Sequence, residues 1–235
     1  MSEVERILVV TAHPDDVDFG AAGSVATWTD EGIEVSYCIV TDGDAGGFDP
    51  AIPRSEVPSI RRAEQTAAAK AVGVTDLRFL GYPDGRLAAT IELRRDISRV
   101  VREVRPQRLV TQSPERTWER LGASHPDHLA AGEAATCAVY PDARNPWAHP
   151  ELADLEAWTV NELWLMAAGG AADTWVDITD AFDRKMDALL RHESQHTKPD
   201  ELRPRLEAWA RANAELAGLD SGRLAEGFRR VICPP

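Results

Sequence analysis

The sequence predicts a single α/β domain whose sheet is mostly parallel and carries helices on both faces. Apolar runs of strand length alternate with helix-like segments along the chain, and this alternation indicates βαβ units. The length of 235 residues suits one large domain. The hydrophobic content of 43% is sufficient for one core.

The predicted strands are short apolar runs of the length that parallel sheets use. In chain order they span residues 6–11, 34–41, 77–80, 108–112, 161–166 and 174–177. The predicted helices follow the strands, in longer segments where polar and apolar residues are mixed. They span residues 20–31, 59–72, 90–104, 127–140, 179–192 and 201–217.

Two long irregular segments, residues 42–58 and 141–156, interrupt this pattern. Both contain several prolines, and the first also contains the pair Gly46-Gly47. Long loops in compact domains are often functional lids, and the active-site loops of α/β folds gather at the carboxyl ends of the strands. We therefore expect both segments to lie over the active site.

The composition excludes several classes of partner. Asp and Glu number 39 against 26 Lys and Arg, a net charge of −13, which opposes nucleic-acid binding. No apolar run approaches the roughly 20 residues of a membrane span, and the N-terminus lacks the basic start of a signal peptide. We expect a cytoplasmic protein with no membrane partner, either a monomer or a homo-oligomer. The three separated cysteines predict neither a disulfide framework nor a Cys-based zinc site.

The segment His13-Pro14-Asp15-Asp16 directly follows the first predicted strand. In open α/β sheets, ligands bind at the carboxyl ends of the strands. Pro14 stiffens the turn, and His13 and Asp16 are spaced so that both can reach one point. In the alternative interpretation, Asp15 or Asp16 only caps the next helix.

A second polar cluster, His125-Pro126-Asp127-His128, has the signals of a helix start. Ser124 is a suitable N-cap, and Pro126 suits the first turn. His125 and His128 lie on one side of such a helix, and Asp127 can orient an imidazole ring by accepting its second N–H. The alternative is a capped surface helix with two incidental histidines. Together the two clusters supply a metal site of mixed N and O ligands, with a carboxylate left over to act on water.

The order of these motifs resembles the LmbE/PIG-L family of metal-dependent de-N-acetylases. The resemblance spans roughly residues 6–130, and His192-x-Ser194-Gln195 is similar to a later family element. It implies a Rossmann-like fold and a hydrolase that removes an N-acyl group, most often N-acetyl, from a small amine such as an amino-sugar derivative. Besides the two clusters it is carried by Gly20, Gly23, Thr41-Asp42-Gly43, Gly46, Arg61, Glu64, Pro83-Asp84-Gly85 and Leu87.

The resemblance also implies the roles of the catalytic residues. The metal would be Zn²⁺, with Fe²⁺ or another divalent ion as the alternative, and its ligands would be His13, Asp16 and His128. Asp15 would be the general base for the metal-bound water. His125 would stabilise the oxyanion or protonate the leaving amine.

The same resemblance implies that Arg61 and Asp84 contact the substrate, because they align with substrate-binding positions of family members that act on amino sugars. Asp127 would support a metal ligand from behind. A small N-acyl compound is the only partner that this interpretation requires.

The same residues are also compatible with several other functions. Amidases of thiol conjugates and deacylases of antibiotic intermediates share the motifs. Two histidines and one carboxylate also describe the facial triad of Fe(II) oxygenases. A nucleotide-binding module is a further alternative, although Gly20 and Gly23 do not complete a G-x-G-x-x-G motif.

The remaining histidines have simpler interpretations. His192 and His196 end a predicted helix, where polar side chains commonly cap the last carbonyl groups. We expect His149, in the second Pro-rich segment, to be exposed to solvent.

Overall fold

The computed structural model describes residues 4–118, 121, 124–166 and 172–234. In this part of the chain the strands are β1 (Arg6–Thr11), β2 (Glu34–Thr41), β3 (Asp76–Tyr82), β4 (Arg108–Gln112), β5 (Glu162–Met166), β6 (Thr174–Asp177) and β7 (Ala225–Ile232). They form one sheet in the order β3-β2-β1-β4-β5-β7-β6. Only β7 is antiparallel to its neighbours within this sheet. The predicted α/β class with a mostly parallel sheet is confirmed.

The helices of the described residues are α1 (Asp16–Gly20), α2 (Ala22–Asp30), α3 (Val57–Ala71), α4 (Ile91–Val104), α5 (Pro126–Cys137), α6 (Phe182–Leu190) and α7 (Pro199–Leu216). A π-helical turn, Ala138–Asp142, extends α5, and short 3₁₀ turns occur at Pro150–Leu152 and Glu193–Gln195. None of the described helices is long and apolar enough to cross a membrane.

Alternate residues of the central strands face two separate cores. On β1, Ile7 and Val9 pack into the core beneath α2, α3 and α6. Leu8 and Val10 face the other core, which contains apolar side chains of α4 and α5. Because both faces are covered, the strand needs apolar residues at every position rather than at alternate ones.

The strand order reverses direction at β1, and this places the site. The strands β2 and β3 lie on one side of β1, and β4 and β5 lie on the other. The carboxyl ends of β1 and β4 therefore border the crevice where doubly wound sheets bind ligands. His13 follows β1 at this point, and the chain after β4 leads to the start of α5.

The sequence pattern missed one strand and one short helix. The strand β7 contains Gly227 and the adjacent Arg229 and Arg230, so it lacks an apolar run. The predicted helix 20–31 corresponds to α2, and the short helix α1 before it was not predicted; the two are separated at Ala21, whose φ of −147° is not helical.

A buried ion pair between Lys185 and Glu226 stabilises the break between α1 and α2. Lys185 Nζ lies 2.5 Å from Glu226 Oε1 and donates to the carbonyl groups of Asp18 and Phe19, near the end of α1. Glu226 Oε2 accepts the backbone N–H and the hydroxyl of Ser24, at the start of α2. The pair thus satisfies backbone groups that the helix ends leave free.

We expect Glu226→Leu to lower the free energy of unfolding by about 3–5 kcal/mol, because Lys185 would remain buried without its carboxylate. Urea denaturation measures the change. Glu201→Gln is the matched control, since it removes the partner of Lys198 in an exposed pair and should leave the midpoint nearly unchanged. Equal shifts in the two variants would contradict the prediction.

The segment 141–156 lies at the amino-terminal edge of the sheet, so the prediction that it overlies the active site is wrong. It connects the end of α5 to the start of β5, and Trp158 just beyond it packs beneath Arg6 of β1. Its backbone encloses the guanidinium of Arg102, which donates to the carbonyl groups of Asp142, Ala143, Asn145 and Leu152. His149 is also buried, with Nε2 3.3 Å from Asp142 Oδ2, and is not exposed as predicted.

Candidate active site

The turn after β1 holds Asp15 in a left-handed conformation with φ of 95°. Such a conformation costs a non-glycine residue about 1–3 kcal/mol. The carbonyl group of Asp15 accepts N–H groups from Asp18 and Phe19, at 2.9 and 3.0 Å, and its own N–H donates to Gln65 Oε1 at 2.8 Å. Both backbone polar groups of Asp15 are therefore hydrogen-bonded in this turn.

The Asp16 carboxylate brings the three predicted metal ligands together. Its Oδ2 accepts the backbone N–H of His13 and lies 3.2 Å from His13 Nδ1. Its Oδ1 lies 3.0 Å from Nε2 of His128, in the first turn of α5. Two imidazole nitrogens from distant parts of the chain therefore contact the two oxygens of one carboxylate.

The second nitrogen of His13 faces a different pair of carboxylates. Its Nε2 lies 3.0 Å from Asp84 Oδ1 and 3.2 Å from Asp127 Oδ2. The fully buried Asp127 also accepts the backbone N–H groups of Gly85 and Leu87, at 2.7 and 3.1 Å. These contacts fix the His13 ring with Nδ1 toward Asp16, the kind of support that metal-binding histidines have.

His125 itself is the N-cap of α5, a position that the sequence pattern assigned to Ser124. Its Nδ1 accepts the backbone N–H of Asp127 at 3.2 Å, so the neutral ring carries its proton on Nε2. Burial, together with the nearby His13 and His128, lowers its pKa. The Ser124 hydroxyl instead accepts the N–H of Thr117 at 2.7 Å.

Arg61, on α3, contacts the turn and the Asp15 carboxylate. Its Nη2 donates to the Pro14 carbonyl and to Asp15 Oδ2, and its Nη1 donates to the Gly43 carbonyl at 3.2 Å. A Cβ atom on Gly46 would lie 2.4 Å from Nη1, so any larger residue at this position would displace the guanidinium. Burial raises the pKa of Asp15 to about 7, against the opposing charge of Arg61. The Arg61 guanidinium, which the sequence predicts to contact the substrate, therefore donates its hydrogen bonds to other residues of the protein.

The charge around His13 suits a cation. Burial alone would lower the pKa of His13, but Asp16 and Asp84 raise it to about 11. Burial alone would raise the pKa of Asp16, but His128 and His13 hold it well below its usual range.

His13, Asp16 and His128 match the three protein ligands typical of catalytic zinc. Two sets of side chains have ligand atoms that all lie within 4.8 Å of one another, and both include His13: one adds His125 and His128, the other Asp84 and Asp127.

These side chains line an open cleft at the carboxyl edge of the sheet. The first part of segment 42–58 forms one wall, where Ala45 and Gly46 lie beside Arg61. Asp84 lies in the same cleft, 3.8 Å from Arg61 Nη1, and its backbone N–H donates to Asp44 Oδ1 at 2.9 Å. The beginning of the segment, rather than its whole length, borders the site.

A buried polar group behind the turn was missed by the sequence pattern. His192 is fully buried, with Nε2 2.9 Å from Asp18 Oδ2, so it does not cap a helix as predicted. The same Asp18 oxygen accepts Gln65 Nε2 at 2.9 Å. His196 does have the predicted capping role, since its Nε2 lies 2.8 Å from the Leu189 carbonyl oxygen.

Two motif elements that lie far apart in the sequence meet beside this group. Glu64 accepts the backbone N–H and the hydroxyl of Ser194, at 2.7 and 2.8 Å. The spacing of Glu64 from Arg61 and of Ser194 from His192 was visible in the sequence. Their pairing was not, because 130 positions separate the two residues.

Comparison with known proteins relates this site to deacetylases. The family model described as PIG-L, GlcNAc-PI de-N-acetylase, matches residues 8–139. The chain is 31% identical to the diacetylchitobiose deacetylase of Thermococcus kodakarensis, over 99% of this chain and 88% of that protein. It is 35% identical to a probable N-acetyl-alpha-D-glucosaminyl L-malate deacetylase 2 of Bacillus cereus, over 81% of this chain and 83% of that one.

A solved structure gives the same relationship. The N,N'-diacetylchitobiose deacetylase from Pyrococcus horikoshii, complexed with an inhibitor, superposes with a TM-score of 0.89 at 29% identity. The match covers 98% of this chain and 85% of that chain.

Proposed function

Because the chain belongs to the PIG-L family, we propose that it removes the N-acetyl group of a small amino-sugar derivative with the help of one divalent ion, Zn²⁺ in the first instance. The protein is an amide hydrolase that acts on C–N bonds, a deacetylase like the relatives described above. The observation that supports the proposed chemistry best is the contact of both His13 and His128 with the Asp16 carboxylate, beside the partly buried Asp15.

In this proposal, His13, Asp16 and His128 hold the ion. When bound, a divalent ion lowers the pKa of a coordinated water and polarises the amide carbonyl. Asp127 keeps the His13 ring in place, because its carboxylate accepts a hydrogen bond from Nε2, the ring nitrogen that faces away from Asp16.

The proton transfers are assigned to side chains of this chain. Asp15 accepts a proton from the attacking water, and its pKa of about 7 lies close to the pH at which such a base is most effective. The neutral His125 donates its Nε2–H to the oxyanion that forms on the acetyl carbonyl. As the C–N bond breaks, the leaving amine takes up the proton that Asp15 accepted from water, which regenerates the Asp15 carboxylate and gives acetate and the free amine.

For the substrate we propose contacts with the cleft walls. Asp84 lies in the cleft, where its Oδ2, the oxygen that does not contact His13, can accept hydrogen bonds from sugar hydroxyl groups. Arg61 also lines the cleft, but its bonds to Pro14, Gly43 and Asp15 favour a role in holding the base.

Amine and acetate release tests the proposal. The metal-loaded protein is assayed with a panel of N-acetyl amino sugars, their conjugates with thiols, and N-acylated antibiotic intermediates. We expect equimolar acetate and amine from at least one N-acetyl amino sugar, loss of release with a chelator, and recovery with Zn²⁺. Oxygen uptake without acetate release would instead indicate an Fe(II) oxygenase.

His125→Ala should keep the metal ion and lower kcat/KM mainly through kcat, because the lost hydrogen bond forms only in the transition state. Steady-state kinetics and metal analysis of the same preparation measure both effects. If the variant loses its metal while His128→Ala retains it, the roles of the two histidines are reversed.

Arg61→Ala should lower kcat/KM for an N-acetyl sugar and for a minimal N-acetyl amine by the same factor, because Arg61 contacts Asp15. The expected loss corresponds to about 1–3 kcal/mol of transition-state stabilisation. Asp84→Ala should lower kcat/KM more for the sugar, since the minimal amine has no hydroxyl groups to bind. Parallel assays of the two substrates make the comparison. A loss confined to the sugar in Arg61→Ala would return that residue to substrate recognition.

A further inference from the structure

The backbone of Asp15 is held by a residue to which the mechanism above gives no role. Gln65 lies on α3, one helical turn after Arg61, and is fully buried. Its Oε1 accepts the N–H of Asp15 at 2.8 Å. Because Asp15 has φ of 95°, its conformation persists only where surrounding contacts stabilise it, and this hydrogen bond is one of them.

The direction of the Gln65 amide is determined by its second partner. Gln65 Nε2 donates to Asp18 Oδ2 at 2.9 Å, and a carboxylate can only accept. His192 lies 2.9 Å from the same oxygen and holds the carboxylate from the other side. The amide oxygen of Gln65 is therefore left facing the N–H of Asp15.

Burial makes this arrangement rigid. Asp18, Gln65 and His192 are each 0% exposed, and α1, α3 and the chain after α6 each contribute one of them. A flipped Gln65 amide would place its NH₂ group against the N–H of Asp15 and its oxygen against the carboxylate of Asp18. Both contacts would be unfavourable in a buried site, so only the observed orientation is stable.

We propose that Gln65 is a positioning residue that holds Asp15 in its left-handed conformation beside the cleft, and that the buried pair of Asp18 and His192 sets the direction of the Gln65 amide. The proposal rests on the proposed function only for the role of Asp15 as general base. Its structural part, the control of the Asp15 conformation, is independent of any activity.

Two substitutions of Gln65 separate positioning from simple packing. Gln65→Met keeps the length of the side chain but cannot accept from Asp15. Gln65→Glu keeps an acceptor for the Asp15 N–H, and its protonated oxygen can still donate to Asp18. Ser194→Ala is the matched control, because it weakens a contact between the same helix and the chain after α6 without touching Asp15.

Crystal structures of the variants give the first readout. We expect the carboxylate of Asp15 to move away from Arg61, or its φ to leave the left-handed region, in Gln65→Met. Both features should be retained in Gln65→Glu and Ser194→Ala. An unchanged Asp15 in Gln65→Met would overturn the proposal, whether or not the protein proves to be a deacetylase.

Kinetics of the metal-loaded enzymes give the second readout. Gln65→Met should lose about 10–100-fold in kcat, the effect of a misplaced catalytic group, with unchanged KM, one bound ion and a retained thermal unfolding transition. Gln65→Glu should recover most of this loss, and Ser194→Ala should show none. A rise in KM alone, loss of the ion, or failure of the Glu variant to recover would overturn the proposal. A wild-type enzyme that releases no amine would refute the proposed function but would leave the crystallographic comparison decisive.

Discussion

Asp15→Asn should retain its metal ion and lose about 10²–10⁴-fold in kcat, the usual contribution of a general base. The amide has nearly the same shape as the carboxylate but cannot take a proton from water. The proposed ligands His13, Asp16 and His128 are left intact, so the metal content should not change. Turnover and metal analysis on one preparation measure both effects.

The control for this experiment is Asp49→Asn, which makes the same chemical change at an exposed position of segment 42–58. Its turnover should equal that of the unmodified enzyme. Near-normal turnover in a metal-replete Asp15→Asn enzyme would place the base elsewhere, with Asp127 or His125 as the next candidates.

His13→Ala and His128→Ala should each abolish stable metal binding and with it nearly all activity. Even the loss of a residue that only supports a metal ligand typically costs about 10–100-fold in affinity, and each of these variants removes a ligand itself. His13→Ala also leaves Asp16, Asp84 and Asp127 without the imidazole that lies between them. Metal analysis after dialysis, followed by titration with Zn²⁺, measures the loss.

His196→Ala provides the matched control, because that histidine caps α6 through the Leu189 carbonyl group and does not line the cleft. It should bind one ion and retain activity. Full metal occupancy in both His13→Ala and His128→Ala would refute the proposed ligand set.

The sequence by itself was sufficient for the fold class and for the residues that meet in the cleft. Ile7 to Val10 form an unbroken apolar run because both faces of β1 are covered, and such a run is visible without coordinates. The positions of His13 and Asp16 follow from one local turn at a strand end. The proximity of this turn to His128 could also be predicted from the sequence, because parallel strands end at the same edge of the sheet.

The tertiary structure decided every feature that depends on a distant partner. The backbone groups left free at the break between α1 and α2 are hydrogen-bonded by Lys185 and Glu226. The orientation of Gln65 depends on His192, which the sequence pattern assigned to a helix cap. Segment 141–156 follows a helix rather than a strand, and the direction of that helix places it at the opposite edge from the cleft. Local sequence carries periodicity and turn chemistry, whereas a buried polar group is stable only with a partner, and that partner is chosen by the packing of elements far apart in the chain.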